Sequence, residues 1–204
     1  MRRHAPITFA LIAIIVVVFG FEVAAGGSKN TQVLYALGAI VPDLFASGQY
    51  WRLLAAMFLH IGLLHLALNL WALYQLGGVF EMLFGSTRFA VTYFVSGLVA
   101  SVASAMFTNG LAAGASGAIF GILGALIVSI RRSPRFRHAP WGRGLVQQLV
   151  FWAGINIVIG FTTPGIDNAA HIGGFLAGLL LGLQPHRVPP PPPNGMVIDV
   201  DRQA

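Results

Sequence analysis

Six long apolar runs constrain the fold of this chain more than any other feature of its sequence. They cover residues 7–25, 53–80, 88–108, 116–130, 145–161 and 169–183. Charged residues make up 9% of the chain, against roughly 25% in soluble domains. Because about 20 apolar residues span a bilayer core, the runs predict an all-α integral membrane protein with six transmembrane helices. No stretch between them is long enough for a separate soluble domain, so we expect one membrane domain over residues 1–184.

The two ends of the chain call for separate interpretations. Arg2 and Arg3, the run 7–25 and the small residues 23–25 together could form a signal peptide. We favour a retained helix, because the run is long for a signal sequence and the rest of the chain is already membrane-embedded. Residues 185–204 contain five consecutive prolines and predict an extended, disordered cytoplasmic tail.

The charges of this chain indicate a membrane topology rather than a nucleic-acid partner. The net charge is +6, but the arginines gather at the ends of the apolar runs. The densest basic stretch, residues 131–143, is predicted to be cytoplasmic by the positive-inside rule. Counting from this stretch places both termini in the cytoplasm and leaves only Lys29 and Arg52 in outer loops. The starts of the fourth and sixth runs then lie toward the same non-cytoplasmic face as the outer half of the second.

Polar side chains are costly inside a membrane and are therefore candidates for a functional site, and we single out those in three of the runs. They are Ser116 in the fourth run, His65 and Asn69 in the second, and His171 in the sixth. A serine hydroxyl becomes a nucleophile when a base takes its proton, and a neutral imidazole is the usual base near pH 7. The topology allows all three groups to meet.

Glycine pairs four residues apart accompany both the serine and the late histidine. The pairs are Gly117 with Gly121 and Gly174 with Gly178. Such faces allow two helices to approach closely, as a hydrogen bond between Ser116 and His171 would require. An ordinary packing role would account for the same pairs.

Other polar residues in the runs have both a chemical and a structural interpretation. His65 and Asn69 are four residues apart, so on a helix they project from one face. They could donate hydrogen bonds to an oxyanion, or each could bond a neighbouring helix. Asp167 stands four residues before His171, where we expect a capping or turn role. Dispersed histidines without carboxylates at ligand spacing predict no metal site, and the absence of cysteine excludes disulfides and thiolate ligands.

In combination, these residues resemble the rhomboid family of intramembrane serine proteases. The matching positions are Trp51, Arg52, His60, His65, Asn69, Gly114, Ser116, Gly117, Phe120, His171, Gly174 and Gly178. The resemblance covers about residues 7–183 and implies a six-helix bundle with a water-accessible cavity open to the non-cytoplasmic side. It also implies that Ser116 is the nucleophile and His171 the general base of a dyad. His65, Asn69 and the Ser116 backbone N–H would form the oxyanion hole.

The other matched positions are expected to support this site. Phe120 corresponds to an aromatic residue that packs on the catalytic histidine, and Trp51 and Arg52 to a loop in the outer leaflet. Glu81 corresponds to a family position with a structural role. We also expect structural roles for His60, Gly114, Gly117, Gly121, Gly174 and Gly178.

The resemblance implies an endopeptidase that cuts transmembrane or juxtamembrane segments of other membrane proteins and needs no cofactor. A catalytically silent, helix-binding relative is the first alternative, but it would be expected to lack the serine or the histidine. A solute transporter is the second, and the sequence shows no evident internal repeat to support it. A compact core of this kind suits a bacterial plasma membrane. The sequence predicts neither the individual substrate nor the oligomeric state.

Overall fold

Helices make up most of residues 5–185, the part of the chain that a computed structural model describes. The α-helices are α1 (Pro6–Ala24), α2 (Thr31–Leu37), α3 (Pro42–Ala46), α4 (Arg52–Ala55), α5 (Leu63–Ala72), α6 (Gly78–Phe84), α7 (Ser86–Phe107), α8 (Ser116–Arg132), α9 (Pro134–Arg137), α10 (Pro140–Thr162) and α11 (Asn168–Gly182). A π-helical segment, Leu73–Gly77, joins α5 to α6 in one continuous helix. Residues 5–185 contain no strand, which confirms the all-α prediction. The predicted tail 185–204 lies, apart from Pro185, outside the described residues.

Four helices are long and apolar enough to cross a membrane: α1, the continuous helix Leu63–Phe84, α7 and α10. Sequence analysis counted α8 and α11 as spans too, and they have 17 and 15 residues. At 1.5 Å per residue these two helices are about 25 and 22 Å long, shorter than a hydrocarbon core of about 30 Å. The count of six spans therefore stays a prediction.

Short helices and a buried arginine organise the segment between α1 and α5. The second apolar run divides into the short helix α4 and a longer helix that begins at Leu63. Arg52 opens α4 and is buried, with its guanidinium donating to the carbonyl oxygens of Tyr35 at 2.7 Å and Ala39 at 3.1 Å. The same guanidinium stacks over the ring of Trp51, 4.7 Å from its centroid. Arg52 and Trp51 therefore hold the start of α4 against the C-terminal end of α2.

Helix α8 lies at the centre of the bundle. Thirteen of its 17 residues are buried, and it contacts α5, the π-helical segment, α7, α9, α10 and α11. Its closest neighbour is α11, because glycines on both helices allow the two backbones to touch. A Cβ atom at Gly174 would overlap the carbonyl oxygen of Gly117, and one at Gly178 would overlap that of Gly121. The glycine pairs predicted to allow close approach therefore form one helix–helix interface.

Polar anchors hold the opposite end of the bundle, away from the start of α8. Glu81 accepts hydrogen bonds from the N–H groups of Ile7 and Thr8 at 3.0 and 2.8 Å and from the Ser86 hydroxyl at 2.6 Å. It thereby satisfies backbone donors at the start of α1 that no helical carbonyl can reach. The structural role expected of Glu81 is confirmed. Arg88 donates to Ser129 at 3.0 Å and so links α7 to α8.

Candidate active site

Ser116 is the first residue of α8, and the chain reaches it through a glycine that no other residue could replace without strain. Gly114 has a φ of 141°, a backbone region that residues with a Cβ rarely adopt. A Cβ there would lie 2.8 Å from Cε1 and 3.0 Å from Nε2 of His65, and 3.8 Å from Oγ of Ser116. The His65 ring and the Ser116 hydroxyl therefore face the same small volume at Gly114. They come from two different helices, as the sequence predicted.

The hydrogen bonds of His65 define its tautomer. Its Nδ1 lies 3.3 Å from the backbone nitrogen of Ile61, which can only donate. A neutral imidazole that accepts at Nδ1 carries its proton on Nε2, so Nε2–H is a donor. Nε2 is also the nitrogen adjacent to Gly114. The ring therefore presents an N–H group toward the start of α8.

Asn69 lies one turn after His65 on α5 and is buried. Its Nδ2 donates to the carbonyl oxygen of His65 at 2.9 Å, and its Oδ1 is buried without a partner. An amide nitrogen carries two hydrogens, so one remains after this bond. The prediction that the two residues occupy a single helix is confirmed.

His171 lies in the first turn of α11 and is buried. Its ring stacks on that of Phe120, with centroids 4.2 Å apart and an interplanar angle of 11°. The stack between these two rings, implied by the resemblance, is therefore present. The imidazole follows Asp167, the residue that precedes α11, by four positions. Its Nδ1 is buried without a partner, and among the hydrogen bonds of residues 5–185 none joins it to Ser116.

The backbone contact between α8 and α11 brings the neighbourhoods of Ser116 and His171 together. A Cβ at Gly117 would lie 3.4 Å from the carbonyl oxygen and 3.7 Å from the Cβ of Ala170. Gly117 and Ala170 are the chain neighbours of the serine and the histidine. Hydrogen bonds between catalytic groups are often long in unliganded enzymes and shorten in the substrate complex. Proton transfer between the two side chains would therefore require them to move closer when a substrate binds.

Asp167 caps the helix that carries His171 and does not bond the imidazole. Its Oδ1 accepts from the Ala170 N–H at 3.0 Å and from the Thr108 hydroxyl at 2.7 Å. The expected capping role is confirmed, since the side chain satisfies a first-turn N–H of α11. Thr108, which sequence analysis did not single out, connects the end of α7 to this cap. Its sequence setting, as the last residue of the run 88–108, gave no signal of that role.

A second residue that sequence analysis missed is Glu22 in the last turn of α1. Its carboxyl is 0% exposed, and Oε1 accepts from the His60 N–H at 3.0 Å. The signal was present, because Glu22 is the one acidic residue in the run 7–25. His60, predicted as structural support, is also fully buried and lies with its ring centroid 5.3 Å from that of His65. Within the described residues, no group of three or more potential ligands could hold a metal ion.

Comparison with known proteins identifies the family. The family model described as the Rhomboid domain matches residues 47–187. The chain belongs to the rhomboid family. With its four apolar helices, this rhomboid is an integral membrane protein.

Named relatives cover most of this rhomboid chain. It is 40% identical over 171 residues to Rhomboid protease GluP of Bacillus subtilis (strain 168), which covers 84% of this chain and 33% of the relative. It is 40% identical over 155 residues to RHOMBOID-like protein 7 of Arabidopsis thaliana, covering 75% of this chain and 49% of the relative. RHOMBOID-like protein 2 of the same plant is 41% identical over 135 residues, covering 66% and 42%. The rhomboid chain thus spans a third to a half of the length of these relatives.

Proposed function

We propose that this rhomboid is an intramembrane serine endopeptidase in which Ser116 is the nucleophile and His171 the general base. The observation that carries the proposal is the convergence of polar groups from three helices at the start of α8. The His65 ring and the Ser116 hydroxyl flank Gly114, and the His171 helix packs backbone to backbone against α8. A nucleophile, a base and hydrogen-bond donors close together are the parts that acyl transfer requires.

The reaction proposed for these groups proceeds in two halves. Oγ of Ser116 attacks the scissile carbonyl carbon while His171 takes the hydroxyl proton. The tetrahedral intermediate collapses, the imidazolium gives the proton to the leaving amine, and an acyl-enzyme remains. Water then attacks the acyl carbon while His171 takes one of its protons. The imidazolium returns that proton to Oγ of Ser116 as the ester bond breaks, and the new carboxylate leaves. The protein must therefore admit both a peptide and water to the start of α8.

A dyad fits the surroundings of His171 better than a triad. In triads an acid orients the base through its second nitrogen. Here Asp167 bonds Thr108 and the start of α11 instead, and the stack on Phe120 restrains the ring. We therefore assign ring orientation to Phe120.

His65 and Asn69 are proposed as donors to the developing oxyanion. His65 has an Nε2–H group beside Gly114, because the Ile61 N–H occupies Nδ1. Asn69 keeps one amide hydrogen after bonding the His65 carbonyl. The Ser116 backbone N–H adds a third donor at the start of α8. A single donor of this kind contributes on the order of 10² to 10³ in rate.

The proposed substrates are transmembrane or juxtamembrane segments of other membrane proteins. A peptide bond inside a helix is hydrogen-bonded and shielded, so a substrate must unwind locally before its carbonyl can reach Ser116. We therefore expect cleavage near glycine, proline or other residues that destabilise a helix in the substrate. The Bacillus relative is named a rhomboid protease, which is consistent with peptide hydrolysis in this family.

We further propose six spans, cytoplasmic termini and a site open to the opposite face, in a bacterial plasma membrane. The arginines between α8 and α10 support this orientation. Because the chain has no cysteine, single cysteines can report it. His138→Cys should resist a membrane-impermeant maleimide added to intact cells, and Thr163→Cys should react. The reverse pattern would contradict the proposed topology.

The test of function is labelling with a fluorophosphonate probe, paired with cleavage of a model single-span substrate that carries helix-breaking residues. Wild type should react in both assays, and Ser116→Ala and His171→Ala should lose both. Ser47→Ala and His138→Ala, at exposed positions outside the site, are matched controls that should retain both. Binding of the substrate by well-folded wild type without cleavage or labelling would contradict the proposal and favour the helix-binding alternative.

A further inference from the structure

A single buried carboxyl connects α1 to the loop that precedes the candidate oxyanion donors. Glu22 lies in the last turn of α1, where its side chain is fully removed from solvent. Oε1 accepts from the His60 backbone N–H at 3.0 Å, and Oε2 is buried without a partner. An acidic residue in this position is costly, and packing alone would favour an apolar side chain. Among the described residues, the His60 N–H is thus the one hydrogen-bond partner of this carboxyl.

His60 is restrained at its backbone and at its ring. Its N–H is held by Glu22, and its Nδ1 donates to the carbonyl oxygen of Phe58 at 3.2 Å. Burial lowers the pKa of His60 to about 4, so the ring is neutral near pH 7. The backbone at His60 is therefore held in place by buried contacts.

The next residue along the chain carries the donor that defines the His65 tautomer. Ile61 is exposed, and its N–H lies 3.3 Å from Nδ1 of His65. This is a long bond at a solvent-facing position, so it has little tolerance for displacement of the backbone. Nothing else in the described residues donates to that nitrogen. The tautomer of His65 therefore depends on where residues 60 and 61 are held.

We infer that Glu22 is a positioning residue for the reaction: it holds the His60–Ile61 backbone so that the Ile61 N–H keeps His65 in the Nε2–H tautomer. The inference rests on the proposed function, in which that N–H binds the oxyanion. Glu22 acts through His60 and Ile61 and makes no contact with substrate. Its loss should weaken transition-state stabilisation and leave substrate binding in place.

Glu81 offers a matched control for a purely structural carboxyl. It is also buried and also accepts backbone N–H groups of α1, but at the opposite end of that helix. Replacement of either glutamate should lower stability. Only replacement of Glu22 should change the tautomer of His65.

The experiment combines ¹⁵N-histidine NMR of the full chain in detergent micelles with kinetics. Resonances of His65 are assigned from their absence in His65→Gln. Wild type should show a protonated Nε2 and an unprotonated Nδ1, and Glu22→Met should show a mixture of tautomers. Glu22→Met should also lower kcat and the rate of fluorophosphonate labelling by about tenfold, with KM changed by less than about twofold. Glu22→Gln keeps an oxygen acceptor, so it should restore the single tautomer and most of the rate, and Glu81→Gln should change neither.

Several results would overturn the inference. One is a wild-type His65 protonated on Nδ1, and another is a folded Glu22→Met protein with unchanged tautomer and kcat. If Glu22→Met does not fold, Glu22→Asp replaces it, because its carboxyl is withdrawn by one methylene and should give an intermediate tautomer ratio and rate. The tautomer is read without substrate. The protein could show a His65 tautomer that depends on Glu22 and yet cleave no substrate. That result would support the positioning role of Glu22 and would overturn only the proposed function.

Discussion

Helices α10 and α11, both of which come later in the chain than α8, pack against it in contrasting ways. Against α11 the contact is backbone to backbone, with glycines on both sides. Helix α10 also touches α8, but only four of its 23 residues are buried, namely Gly142, Val146, Leu149 and Ala153. Its large side chains, among them Phe151, Trp152 and Phe161, point outward. Helix α11 is thus held against α8 by close backbone packing along its length, whereas most of the side chains of α10 face away from the bundle.

This difference matters because helix association in a bilayer depends on close packing rather than on burial of apolar surface. The tight pair carries Ser116 and His171 at one end, so their separation is set by two backbones in contact. At that end α10 is joined to α11 chiefly through Asn168, which donates to the Ile157 carbonyl at 3.3 Å. Substitutions in the tight pair should therefore affect catalysis and stability together, and substitutions on the outward face of α10 should affect neither strongly.

The largest effect is expected from Gly178→Val. A side chain here would overlap the Gly121 carbonyl, and that backbone cannot move unless the two helices separate. We expect the free energy of unfolding in detergent to fall by about 3 kcal/mol or more, together with loss of fluorophosphonate labelling. Thermal unfolding and labelling of the same preparations would measure both.

Gly154→Val on α10 is the control for this prediction. No atom lies within 4 Å of a Cβ at Gly154, so the same substitution meets open space there. If both variants lost the same free energy of unfolding, the close packing of α11 would contribute no more to stability than the packing of α10.

A smaller effect is expected from Phe120→Ala, which keeps the helix contact but removes the stack on His171. Aromatic pairs contribute about 0.5–1.5 kcal/mol beyond burial, which corresponds to a fall in kcat of roughly 2- to 13-fold if the ring must be held for proton transfer. KM should change little, and Phe120→Tyr should restore the rate. On α10, Phe151→Ala removes a ring that is 62% exposed and should leave kcat unchanged. An unchanged kcat in folded Phe120→Ala would remove the assigned role.

The tight pair was also the more predictable of the two regions. The spacing of Gly117, Gly121, Gly174 and Gly178 predicted close approach, and the structure has these glycines face to face. The stack of Phe120 on His171 came from family resemblance, because spacing alone cannot show which residues of different helices meet. The fourfold spacing of His65 and Asn69 was sufficient to place them on one helix.

Other features were beyond the reach of sequence reasoning for physical reasons. The π-helical segment Leu73–Gly77 depends on how the long helix packs and has no local signal. The bond between Thr108 and Asp167 joins residues 59 positions apart. Glu22 was detectable as a charge in an apolar run, but its partner is a backbone N–H, which no residue type reveals. Periodicity predicts which face is buried, and it does not predict which buried polar atoms pair.

The smallest effect is expected from Gly154→Ala, which tests whether α10 is as free of contacts as its outward side chains indicate. Alanine favours a helix over glycine by up to about 1 kcal/mol, and the added methyl group meets no atom within 4 Å. We therefore expect the free energy of unfolding to stay equal or to rise by less than about 1 kcal/mol, with unchanged kcat. A fall in stability would mean that this face touches something at close range. A second copy of the chain would be one such contact, and the loss would then depend on protein concentration, which dilution within the detergent micelles would reveal.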